Sequence, residues 1–188
     1  MATSETEICS NALNYLGEQT ITSLTDGTIR ATLCATHYPT LRDALLSSHP
    51  WKFAAVRTSL ATLAAAPAFE WTIAYQLPSD YLRMIETDPV QLDYDLDGAT
   101  LVCDETAVKI RYIARVTDVT KFSPLFTMGL QYLLASELAP VLKVDGAMTK
   151  MMAELGNEWL VRAKIADAQN QATQPVDADD LITVRYLA

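Results

Sequence analysis

The middle third of this chain is rich in β-forming residues and is flanked on both sides by helical segments, which strongly limits the folds open to it. Residues 1–50 and 119–172 contain runs of apolar side chains three and four positions apart, as amphipathic helices do. Residues 51–118 instead gather β-branched and aromatic residues in short runs divided by Pro, Gly and Asp. We therefore predict an α+β fold, with a small antiparallel β-sheet inserted in a discontinuous four-helix domain.

These patterns divide the chain into three parts. Residues 1–50 and 119–172 form the helical domain, residues 51–118 the inserted β domain, and residues 173–188 an extended C-terminal arm. The arm has an acidic lead, residues 176–180, and an apolar, β-prone end. This end is predicted either to fold back as an edge strand or to add to a partner as a strand. Its predicted partner-binding residues are Leu181, Ile182, Val184, Arg185, Tyr186 and Leu187.

Local signals predict the ends of the first helix and one hairpin. Ser4 and Glu7 have capping-box spacing, and Gly17 follows the last apolar residue of the helix. Asp97 followed by Gly98 is a strong hairpin signal between two short β-prone runs. Further strands are predicted at residues 71–76, 81–86 and 108–116.

The second helix carries a signal for its start and one for its interruption. Thr25 and Asp26 are both good N-cap residues, so the helix is predicted to begin near them. Pro39 lies inside the helical pattern, where it removes a backbone donor and clashes with the preceding turn. We therefore predict a kink or break near Tyr38.

Composition bears on the partners of the chain. Its formal net charge of -9 would repel nucleic acid at long range, which argues against a surface that grips DNA but not against a wall past which DNA slides. No apolar stretch of about 18 residues predicts a membrane span. The first residues lack the pattern of a secretory signal, so we expect residence in a cytoplasm, with the three cysteines as buried or half-buried thiols.

Few patterns in the chain suggest chemistry. Asp93, Asp95, Asp97 and Gly98 have the spacing of a calcium loop, but the twelfth position is Asp104 where such loops use Glu. An acidic hairpin with outward carboxylates is the alternative. The two histidines, His37 and His49, are not arranged for metal binding, and the sequence contains no glycine-rich phosphate loop and no nucleophile elbow. We therefore expect no enzymatic activity, no catalytic or metal-binding residues and no cofactor.

Several short motifs, in order, resemble the tail tubular protein A, or adaptor, family of short-tailed bacteriophages. The resemblance covers the chain up to about residue 172, and the leucine- and alanine-rich third helix belongs to it. The motifs are EICSNALNYLG at 7–17, ITSLTD at 21–26, Tyr38 with RDALL at 42–46, HPWKFA at 49–54, LPSDYLR at 77–83 and YIARVTD at 112–118.

The resemblance implies a structural virion protein without catalytic activity. It implies a ring, typically of twelve copies, that joins the portal protein to the tail nozzle protein and forms part of the DNA conduit. Double-stranded DNA would pass through the ring without sequence-specific binding, and the protein would be assembled in the host cytoplasm. Two alternatives remain open: another head-completion or neck protein of a tailed phage, and a small cytoplasmic ligand-binding protein or enzyme.

Overall fold

The computed structural model describes residues 4–169 of the 188-residue chain, which contain four α-helices and seven β-strands. All the strands lie between the second and third helices, and the predicted α+β class is confirmed. The predicted arm lies outside the described residues. The helices are α1 (Glu5–Tyr15), α2 (Ile29–Ser47), α3 (Pro124–Leu138) and α4 (Gly146–Gln169). The strands are β1 (Ala55–Ser59), β2 (Ala61–Thr62), β3 (Ile73–Gln76), β4 (Tyr81–Asp88), β5 (Asp95–Asp97), β6 (Thr100–Cys103) and β7 (Lys109–Ala114).

Both ends of α1 are fixed by the residues predicted to fix them. The side chain of Ser4 accepts a hydrogen bond from the backbone N–H of Glu7 at 3.1 Å. At the other end Gly17 has a φ of +74°, and the N–H of Glu18 donates to the carbonyl of Leu13 at 3.0 Å. This is a Schellman motif, in which a left-handed glycine lets two amides turn back onto the last helical carbonyls.

The start of α2 was predicted two to three residues too early. Thr28 is the N-cap, and its hydroxyl accepts from the N–H of Ala31 at 3.1 Å. Asp26 instead accepts from the N–H of Thr28 at 3.2 Å, so its carboxylate forms the turn that precedes the cap. Thr25, Asp26 and Thr28 are all good N-cap residues. The turn formed by Asp26 leaves Thr28 as the residue that caps the helix.

α2 continues through Pro39 without interruption, so the predicted break near Tyr38 is wrong, and the alternative of a kink stays a prediction. An internal proline costs a helix about 3 kcal/mol because it removes one hydrogen bond and crowds the preceding turn. The apolar face of α2 is buried among the other helices, with Tyr38, Leu45 and Leu46 all in the helical core. Burying several large side chains outweighs the local cost of the proline.

The strands form two antiparallel sheets rather than the single sheet expected. The middle sheet has the order β1-β7-β4, and the outer sheet has the order β2-β3-β6-β5. Only Leu60 separates β1 in one sheet from β2 in the other. The predicted hairpin joins β5 to β6: Asp97 pairs with Thr100, and Gly98 takes the first loop position with a φ of +61°.

The middle sheet is shared by two hydrophobic clusters. The helical cluster contains buried residues of all four helices together with Ile113 of β7. The sheet cluster contains the neighbouring Tyr112 and Ala114, packed against residues of the outer sheet such as Tyr75 and Leu101. Because successive side chains of a strand point to opposite faces, β7 contributes to both clusters. The molecule therefore has three layers: helices, middle sheet and outer sheet.

Two glycines allow α3 and α4 to pack closely. A Cβ atom on Gly129 of α3 would lie 2.8 Å from the Leu160 side chain of α4. A Cβ atom on Gly156 of α4 would lie 2.7 Å from the Leu133 side chain of α3 and 3.0 Å from the Leu133 backbone nitrogen. Each helix therefore offers a glycine to a leucine of the other, and the Gly156 contact reaches the partner backbone.

Candidate interaction surfaces

The predicted partner-binding residues, Leu181, Ile182, Val184, Arg185, Tyr186 and Leu187, lie outside the described residues. The structure describes the chain up to Gln169, four positions before the predicted start of the arm. α4 ends at Gln169, and the preceding carbonyl of Ala168 accepts from Nζ of Lys52 at 3.5 Å. The described part of the chain therefore ends beside the junction between the helices and the middle sheet.

Asp167 holds this junction together. One of its carboxylate oxygens accepts from the backbone N–H of Lys52 at 3.1 Å, and the other lies 3.5 Å from Nε2 of His49. Burial lowers the pKa of His49, although the negative charge of Asp167 acts in the opposite direction. One carboxylate near the end of α4 thus contacts both the segment after α2 and the segment that leads into β1.

Replacing Asp167 with alanine is expected to lower the free energy of unfolding by about 1–2 kcal/mol, because the half-buried Lys52 amide would lose its acceptor. The control is Glu154→Ala, which removes an exposed ion pair with Lys150 at 3.8 Å and is expected to change stability by less than about 0.5 kcal/mol. Urea unfolding followed by circular dichroism measures both. Equal midpoints for the two variants would contradict the role given to Asp167.

A charged pocket lies along the end of the middle sheet. Its volume is about 910 Å³, and segment 90–94 lines it together with parts of β1, β4 and β7. Three basic side chains line it, those of Arg57, Lys109 and Arg111, together with two acidic ones, Glu86 and Asp88. The charged pocket therefore has an excess of one positive charge in a chain whose net charge is -9.

The basic residues of the charged pocket are unequally paired. Lys109 lies 3.0 Å from Asp88, and Arg111 contacts Glu86 at only 3.5 Å. Nε of Arg111 is buried without a hydrogen-bond partner in residues 4–169. Arg57 has no ion-pair partner within the same range, yet it lies opposite Arg111 in the β1–β7 register. Like charges directly opposite on a sheet repel, so this pair favours an added anion.

An apolar loop, residues 63–69, projects from the outer sheet between β2 and β3. It consists of Leu63, four alanines, Pro67 and Phe69, and it carries no charge. Phe69 is 75% exposed, and the loop lines a groove of about 350 Å³ together with Asp95 and Asp97. An exposed aromatic in an uncharged loop is typical of a surface that a partner covers.

The outward face of α4 is a second exposed apolar surface. Met151, Val161 and Ile165 are 43%, 56% and 55% exposed. Between them Glu158 forms an ion pair with Arg162. The guanidinium of Arg162 lies 5.0 Å from the centre of the Trp159 ring. α4 belongs to the helical layer and the apolar loop to the outer sheet, so the two surfaces occupy different outer layers of the molecule.

The acidic turn that resembles a calcium loop is engaged in protein hydrogen bonds. Asp95 accepts from Nε1 of Trp71 at 3.1 Å, and Asp104, at the twelfth loop position, accepts from the N–H of Thr72 at 2.9 Å. Within residues 4–169, no three His, Cys, Asp or Glu side chains lie close enough to hold a metal ion. The structure therefore shows a hairpin in this segment, with its carboxylates exposed.

No protein-family model matches this chain, and no curated protein matches it. Among the helices of residues 4–169, none is long and apolar enough to cross a bilayer.

Two features of the sequence relate to these surfaces. The chain is uncharged from Thr58 to Phe69, and such a run between two short strands indicates an exposed loop with few polar contacts. Arg57 and Arg111 are 54 positions apart, and only the antiparallel register of β1 and β7 brings them together. The first signal is local and could have been used, whereas the second depends on tertiary structure.

Proposed function

We propose that this chain is a structural virion protein, the adaptor subunit of a ring that joins the portal protein to the tail nozzle protein of a short-tailed bacteriophage. The observation that carries the proposal is the pair of exposed apolar surfaces, the apolar loop and the outward face of α4, in different outer layers of one subunit. A cyclic ring needs two different surfaces that complement each other between successive copies. The motif resemblance supplies the position of the ring in the virion.

The charge of the chain supports a conduit for DNA. Its net charge is -9, so a ring of copies would not hold the phosphate backbone of double-stranded DNA by general electrostatics. DNA that must leave the virion rapidly benefits from a wall that does not bind it. The proposed partners are the portal, the nozzle protein and further copies of this chain, typically twelve in a ring, and the proposed location is the neck of the virion.

Electron microscopy of the chain mixed with the portal protein of the same genome tests this proposal. The expected result is an added, rotationally symmetric layer on one face of the portal. Phe69→Asp and Val161→Asp are expected to leave the subunit folded but to prevent this layer from closing, because each places a charge in an apolar contact. Ile29→Asp is the matched control, because Ile29 is 77% exposed and lies outside both surfaces.

A folded chain that adds no layer to the folded portal protein would contradict the adaptor function. It would favour another neck position in a tailed phage, or the ligand-binding alternative. A layer that forms equally well with all three variants would support the adaptor but contradict the assignment of its two contact surfaces.

A further inference from the structure

The excess positive charge of the charged pocket has an acidic counterpart in the same chain. The lead of the arm contains Asp177, Asp179 and Asp180 within four residues. We propose that the charged pocket binds this acidic segment, residues 176–180, of the same chain. The proposal rests on the geometry of the middle sheet and does not depend on the adaptor function.

The last described residues lie close enough to the charged pocket for the acidic segment to reach it. Ala168 contacts Lys52, which is five residues before Arg57 along the chain that becomes β1. Five residues span at most roughly 17 Å, whereas the eight residues from Gln169 to Asp177 span at most roughly 28 Å. The chain between Gln169 and Asp177 is therefore long enough for the acidic segment to reach Arg57.

The chemistry of the charged pocket suits carboxylates. Arg57 and Arg111 are direct neighbours across β1 and β7, so a carboxylate between them would contact two guanidinium groups and reduce their repulsion. The buried Nε of Arg111 needs an acceptor, which a carboxylate oxygen provides. The apolar side chains of Val90 and Leu92 line the same pocket and suit the aliphatic residues on either side of the aspartates.

A high effective concentration favours binding of the acidic segment to the charged pocket of its own chain over binding to a second copy. A short linker gives a tethered segment an effective concentration in the millimolar range. Partly exposed ion pairs are individually weak, so a contact made of a few of them forms at millimolar but hardly at micromolar concentration. Binding within one chain therefore wins in a dilute solution of this protein.

Charge-reversal variants of the full-length chain test the proposal, with amide hydrogen exchange as the measurement. Asp179→Arg with Asp180→Arg is expected to lower the protection of β1 and residues 89–94 by about fivefold, the upper range for an exposed ion pair. Arg57→Asp alone is expected to do the same. The three changes together are expected to restore the protection, because the reversed charges attract again. Arg162→Glu on α4 is the matched control and is expected to leave this protection unchanged.

Three results would overturn the proposal. Protection that is unaffected by the aspartate changes would show that the segment does not bind there. Protection that rises with protein concentration, together with dimers in sedimentation, would assign the charged pocket to a second copy. Protection that is insensitive to the aspartate changes but increased by added double-stranded DNA would assign it to phosphate. Restoration in the combined variant, in a monomer, confirms it.

Discussion

Gly156→Val is expected to lower the free energy of unfolding by about 3 kcal/mol, although valine is the better helix former. The reason is the close packing of α3 and α4, where a Cβ atom at position 156 would lie 3.0 Å from the backbone nitrogen of Leu133. A side chain can rotate away from such a contact, but the backbone of a packed helix cannot move alone. The two helices must separate, which loses contacts along their whole interface.

Two other glycines serve as controls for Gly156. A Cβ atom on Gly129 would lie 2.8 Å from the Leu160 side chain and 3.3 Å from the backbone oxygen of Gly156, a looser backbone contact than at Gly156, so the cost of Gly129→Ala is expected to be smaller. Gly146→Ala meets nothing within 4 Å and is expected to be neutral or slightly stabilising. Urea midpoints in the order Gly146→Ala, Gly129→Ala, Gly156→Val, from most to least stable, support the packing. A Gly156→Val midpoint equal to that of the unmodified chain contradicts it.

Removing residues 175–188 is expected to abolish binding to the portal protein, which follows from the proposed function. The truncation removes none of the described residues of the two hydrophobic clusters, so residues 4–169 are expected to stay folded. Co-sedimentation with assembled portal measures the binding, and far-UV circular dichroism checks the fold. Undiminished binding by the truncated chain would contradict a role of the arm in docking.

Point variants separate the two parts of the arm. In an added strand Ile182, Val184 and Tyr186 would share one face, because side chains alternate along a strand. Ile182→Asp with Val184→Asp is therefore expected to abolish portal binding while leaving the acidic lead unchanged. Asp179→Arg with Asp180→Arg tests the charged pocket instead. The docking role of the arm and the binding of its acidic segment to the charged pocket are thus tested independently.

The sequence predicted local structure well where interactions lie within a few residues. The cap formed by Ser4 and Glu7, the glycine at position 17 and the turn at Asp97 and Gly98 depend on neighbouring backbone groups, and all are confirmed. The path of the chain through Pro39 could not be predicted, because it depends on burial against distant helices. Local preference is a weak guide where packing supplies more free energy.

The division of the strands into two sheets was beyond sequence reasoning for a related cause. Alternation within one strand shows that one face is buried, but it does not show which other strand supplies the neighbour. β1 and β2 are separated by a single residue, yet they pair with β7 and β3 in different sheets. The charged pocket could not be predicted for the same reason, because the pairing of β1 with β7 brings Arg57 and Arg111 together.

The shared position of β7 has a consequence for how the molecule loses its structure. Tyr112 and Ile113 are adjacent in the chain, yet each is part of a different hydrophobic cluster. If the outer sheet detached, the middle sheet would expose one face to water, and if the helices detached it would expose the other. Either event opens one of the two clusters and leaves an apolar face of the middle sheet in water. Because exposing either face is unfavourable, we expect the helices and both sheets to unfold as one cooperative unit.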